Sequence, residues 1–171
     1  RKPPGWLRFV LPDVPYGKTK FKPATPAHLH SLYSELKSEP GYAELRANVS
    51  AVLGTWDDHD AGINDADKFF AFKDERQQLF LDFFDVPKDS PRRTRKGVYH
   101  SHVLTDAEGR TVKLLLLDVR YHRDPWPWHP GALPAEKSDI LGEEQWAWLE
   151  ERLREPAAVL QATTTGRRPR V

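Results

Sequence analysis

The chain has 171 residues, 39% hydrophobic and 30% charged, which fits one ordinary globular domain with a sizeable core. Its 26 basic and 25 acidic residues leave a net charge of +1, without the basic excess expected of a nucleic-acid binder. There is no cysteine, which excludes disulfides and thiolate metal sites, and the longest apolar run, "VKLLLLDV", is far short of the roughly 20 residues a membrane-spanning helix needs.

Residues 1–25 carry five prolines with no steady period and read as an irregular approach segment. "TPAHLHSLYSELKSE" predicts a helix, with Thr25 as N-cap, Pro26 at the first position and Leu29, Leu32, Tyr33 and Leu36 on one face. Pro40 and Gly41 end it, and "YAELRAN" predicts a second short helix. "VSAVLGTW" reads as a short buried strand, and a helix is expected from about Ala66 to Phe84, stopped by Pro87. "GVYHSHVLTDAEGRTVKLLLLDVRY" has the pattern of a hairpin turning at "DAEG", with Val98, His100, His102 and Leu104 on one face. "LGEEQWAWLEERLRE" predicts a helix with Trp146, Leu149 and Leu153 inward, and residues 156–171 read as a disordered or truncated tail. No internal repeat or second domain is visible.

The chemistry concentrates on the loop after the first predicted strand, in "LGTWDDHDAGINDADKFF". Asp57, Asp58, Asp60, Asp65 and Asp67 fall within eleven residues around His59, with Asn64 beside them. Loops at the C-terminal ends of strands are where α/β proteins commonly place ligand sites. Carboxylate, amide and imidazole together suit a hard or borderline cation, and a carboxylate behind a histidine fixes its ring. The bland reading is a solvated acidic loop.

"LGTWDDHDAGINDADK" resembles the signature of the alkaline phosphatase D (PhoD-like) metallophosphatases, approximately TWDDHDxGxND. "LYSELKSEPGYAELR", "LFLDFFDVPKDSPRRTRKGVY", "LLLLDVRYHRDP" and "LGEEQWAWLEERLRE" resemble further blocks of that family in the same order, so the likeness covers roughly residues 26–155. It implies the central part of a calcineurin-like metallophosphoesterase α/β sandwich, incomplete here, with mixed sheets flanked by helices around a multi-metal site. The implied activity is metal-dependent hydrolysis of phosphate mono- or diesters, with calcium and iron as the associated metals. On the resemblance, His59 faces the phosphate, Asp60 holds that histidine, Asp58 and Asn64 ligate metal, and Asp57 is either a ligand or a support. One departure is Ala61, where relatives often carry an aromatic.

Arg120, at the end of "LLLLDVR", is a candidate phosphate ligand because a guanidinium grips two oxygens at once; the alternative is an Asp–Arg pair tying down its loop. Arg93 is a weaker candidate against a solvated basic loop. His100 and His102 share a strand face but lack a nearby carboxylate, so half-buried strand histidines are the plainer reading. Trp126, Trp128 and Trp146 form either a stacking surface or rim packing.

The family's upstream Asp-containing turn and downstream Gly-Asp-His turn have no match here; Asp13 does not fit the first. With no methionine and a start at Arg1, the chain reads as a piece of a longer product. Two readings follow: part of a phosphoric ester hydrolase with an incomplete site, or an inactive PhoD-like binding protein. The expected partner is a phosphate ester, with no nucleic acid and no membrane. Oligomeric state is left open, and so is compartment, a secreted or organellar lumen being admissible.

Overall fold

The computed structural model describes residues 7–10, 25–61, 63–156 and 158–162. Its first sheet pairs β1 (Leu7–Val10) in parallel with β2 (Ala51–Gly54), in register from Leu7 opposite Ala51 to Val10 opposite Gly54. Between them run α1 (Pro26–Ser38) and α2 (Pro40–Asn48). α3 (Lys73–Phe83) leads into the hairpin of β3 (His100–Thr105) and β4 (Thr111–Leu116), and α4 (Glu143–Arg154) carries the chain to β5 (Ala158–Ala162). The second sheet has the order β3-β4-β5, antiparallel at β3–β4 and parallel at β4–β5, so the described architecture is mixed α/β.

α1 forms as its local signals dictate. The Thr25 hydroxyl accepts from the His28 N–H at 3.2 Å, Pro26 occupies the first turn, and Leu29 and Tyr33 are buried. Three expectations change. The segment anticipated as an irregular approach contains β1, and the anticipated tail contains β5, both parallel partners of distant strands. Asp13, just beyond β1, and residues 163–171 lie outside the described residues. The third helix begins at Lys73 rather than near Ala66. Asp67 makes a turn that accepts the Phe69 N–H at 2.9 Å, the Lys68 N–H goes to the Arg123 carbonyl at 2.7 Å, and Phe72 sits at φ +56°, a left-handed conformation that a helix cannot continue through.

Two cores result. The larger gathers Leu29, Trp56, Phe80, Leu81 and Tyr121 between α1, α3 and the loop after β2. The smaller joins Leu115 and Leu117 to Leu141 and Leu149 of the α4 region. The inner face of α4 is rotated from its expected position: Gln145 and Leu149 are buried, whereas Trp146 and Leu153 are about half exposed. Gln145 turns inward because its amide closes the end of β4, accepting from the Asp118 N–H at 2.8 Å and donating to the Asp118 carbonyl at 2.7 Å. β2 is half-buried along most of its length rather than fully buried.

Candidate active site

The acidic loop leaves β2 between two anchors. The Thr55 hydroxyl donates to the Leu117 carbonyl at 2.7 Å, tying the loop to the end of β4. Trp56, fully buried, lies near-parallel to the Tyr121 ring and edge-on to Phe70. With its base fixed, the loop winds into a single turn, the Ala61 N–H reaching the Asp57 carbonyl at 3.0 Å and the Ile63 N–H the Asp58 carbonyl at 3.2 Å.

That turn places the acids back to back. Asp58 Oδ1 accepts the His59 N–H at 2.9 Å and lies 3.0 Å from His59 Nδ1, while Asp58 Oδ2 accepts the Asp65 N–H at 2.8 Å. Asp60, almost fully buried, accepts the Tyr33 hydroxyl at 2.9 Å and the Asp57 N–H at 3.1 Å. Burial, reinforced by the Asp60 carboxylate, holds the Tyr33 phenol well above its ordinary pKa, so it remains a donor to that carboxylate. Asn64 is exposed and donates to the Asp65 side chain at 2.7 Å.

The positive charge among these acids comes from the strand-end after β4. Arg120, 2% exposed, sends Nε to Asp57 Oδ1 at 2.6 Å and its Nη2 to the same oxygen at 2.5 Å, with Asp58 Oδ2 at 4.0 Å. The backbone that carries it is set by Asp118, whose carboxylate accepts N–H groups from Val98, Arg120 and Tyr121 at 2.8, 2.8 and 2.9 Å. Burial and then the Arg120 charge lower the pKa of Arg123, stacked 3.6 Å over Trp126, against the opposing fields of Asp65, Asp57 and Asp67.

Of the residues anticipated from sequence, Asp57, Asp58, His59 and Asp60 come together with Arg120, while Asn64 stands at the rim. The carboxylate against His59 Nδ1 is that of Asp58, and Asp60 is turned toward α1 and the Asp57 amide. Arg120 turns Nε and Nη2 to one oxygen of Asp57 and Nη1 to the Ala66 carbonyl at 3.4 Å. Arg93 neither faces solvent nor offers its fork: it bonds the Val86, Pro87 and Gln78 carbonyls and pairs with Asp82, clasping the loop after α3. His100 and His102 are half-buried on one strand face. Sequence reading placed Tyr33 on the apolar face of α1 but missed its bond to Asp60, and it missed the Asp118 bracket; only a hydroxyl on an otherwise apolar stripe hinted at the former.

No protein-family model and no curated protein matches the sequence. Among solved structures, one described as the structure of PhoD superposes with a TM-score of 0.62 at 20% sequence identity, covering 81% of this chain and 29% of that one. Over these residues the fold is that of PhoD. The chain thus spans under a third of the length of the PhoD chain it matches.

Whether the acidic loop suits a metal can be judged from its donors. Among the described residues no three His, Asp or Glu side chains are grouped to hold an ion. A guanidinium sits on Asp57 and 4.0 Å from Asp58, in the region a cation would need, and both Asp58 oxygens already accept N–H groups. The residues present do not by themselves fit a metal.

Proposed function

We propose that the chain is part of a PhoD-like phosphoric ester hydrolase, contributing one wall of a site that is incomplete without the rest of its two-sheet sandwich. The observation that carries this reading is the PhoD fold over 81% of the chain while only 29% of the PhoD chain is spanned. The loop order is consistent with it: Asp58 lies against His59 Nδ1, and in this reading the His59 ring is the group that meets a phosphoryl oxygen. Asp60 stands behind the loop and fixes it through Tyr33 and the Asp57 amide. Asp57, Asp58 and Asn64 are the residues that calcium or iron would take up, and only together with ligands from outside this chain. Arg120 acts in this reading by orienting Asp57 rather than by gripping phosphate.

A second reading, an inactive PhoD-like binding protein, draws on the engagement of Asp57, Asp58 and Asp60 by partners within the chain. Hydrolysis of p-nitrophenyl phosphate and bis(p-nitrophenyl) phosphate with added Ca²⁺ and Fe³⁺ separates the two. It is measured on the chain as it stands and on a product extended by its flanking coding sequence. The expected result is silence from the chain and turnover from the extended product that His59→Ala abolishes. Turnover by the chain itself, lost in His59→Ala, would refute incompleteness; silence of both products would leave the inactive reading standing.

A further inference from the structure

A cleft of about 420 Å³ opens between the β2 edge, the end of α3 and the hairpin face that carries His100 and His102. None of residues 55–65 lines it, so it is separate from the acidic loop. Its lining includes the apolar residues Val52, Phe83 and Phe84. It also includes Arg92, His100 and His102, and at the first two the hydrogen bonding is unfinished. Arg92 Nη2 donates to the Val98 carbonyl at 2.9 Å, but its buried Nε has no partner, and neither buried ring nitrogen of His100 has one. Among the described residues no carboxylate pairs with Arg92; Asp85, the acid lining the cleft, is already bound by Lys37 at 2.7 Å and by Arg46.

A half-buried cation without a counter-charge, its Nε buried and unpaired beside two unpaired ring nitrogens, is unfavourable unless a ligand completes it. The same strain shows in the titration of both groups. Burial, then Arg95 and Arg93, lowers the Arg92 pKa to about 9. Burial, then Arg92, lowers that of His100 to about 3, with the Val98 backbone pulling weakly the other way without meeting hydrogen-bond geometry. His100 is therefore neutral at pH 7 and offers one N–H donor.

We propose that this cleft binds a small organic oxyanion, a phosphate or carboxylate head on an apolar body. The head would meet Arg92 and the His100 N–H, and the body would lie against Val52, Phe83 and Phe84. An aromatic acid matches this mixed lining, whereas a bare ion leaves its apolar residues wet.

The test is a titration of the whole 171-residue chain with phenyl phosphate, benzoate, inorganic phosphate and neutral benzyl alcohol, followed by amide chemical shifts. The expected result is saturable shifts at Val52–Gly54 and His100–His102 with phenyl phosphate or benzoate, and binding at least about tenfold weaker for benzyl alcohol and in Arg92→Gln. Because Arg92 also bonds the Val98 carbonyl, His102→Glu serves as a second variant that keeps that bond and places a negative charge in the cleft. It should weaken both aromatic acids to a similar degree. The relative strength of the two acids tells which head is preferred. The proposal is overturned if no acid gives saturable shifts, if shifts are confined to residues 55–65, or if a variant with a native spectrum binds undiminished.

Discussion

At the residue scale the acidic loop depends on a partner far along the chain. Arg120 is nearly inaccessible and Asp57 only slightly exposed, so their pair sits where solvent screens little. Removing one member strands the other. Arg120→Ala should cost about 3–5 kcal/mol in urea unfolding, and Arg120→Lys should recover only part, because an ammonium cannot reproduce the contacts from both Nε and Nη2 to Asp57. A loss below 1 kcal/mol would show that Thr55, Trp56 and the Asp60–Tyr33 bond hold the loop without the ion pair. His100 gives a second prediction, in pH. Its folded pKa of about 3 lies below the ordinary 6.5, so between those values the unfolded chain binds more protons. The contribution is fully present above pH 6.5 and is lost as pH falls toward 3, at up to about 1.4 kcal/mol per pH unit. Asp74, Asp82, Asp124, Asp139 and Glu155 are carboxylates held low, whose losses come as pH falls below about 5, which leaves the interval from about 5 to 6.5 to His100. Unfolding free energy should therefore fall from pH 7 to 5, and fall less steeply in His100→Gln; parallel slopes would contradict it.

At the element scale, Gly142 shows what one position can demand. It caps α4 at φ +77°, and a Cβ there would lie 2.6 Å from Cγ of His122. Gly142→Ala should cost at least about 2 kcal/mol, lowering Tm by roughly 4–8 °C. Gly41, in the first turn of α2 with open space around it, is the control: Gly41→Ala should leave Tm unchanged or raise it slightly. The same contrast explains which elements were legible from sequence. α1 was, because its cap, its proline and its apolar stripe are all local. The start of α3 was not, because the local turn at Asp67 is joined by a bond from the Lys68 N–H to the Arg123 carbonyl, more than fifty residues away. β1 and β5 escaped because a short strand among prolines or at a basic end gains its identity from a parallel partner elsewhere. The acidic cluster was plain in "DDHD", yet its partners Arg120 and Tyr33 come from other elements, and a one-dimensional reading had no means of pairing them.

At the scale of the whole molecule, the question is whether the two cores melt as one. The end of β4 and the segment after it serve both: Leu115 and Leu117 belong to the smaller core, Tyr121 to the larger, and Asp118 brackets the backbone between them. From the other side, Thr55 bonds the Leu117 carbonyl and Trp56 stacks on Tyr121. Neither core can lose its packing without freeing groups the other uses, so a single cooperative transition is expected, with tryptophan fluorescence and far-ultraviolet circular dichroism superimposing. Thr55→Val tests the joint directly. It keeps the side-chain shape but leaves the Leu117 carbonyl without its hydroxyl donor, for a loss of about 1–3 kcal/mol. If the joint transmits stability rather than defining it, the midpoint falls while the denaturant slope stays constant and the two probes remain superimposed. A reduced slope with separating probes would mean instead that the cores are independent units and that this one hydroxyl couples them.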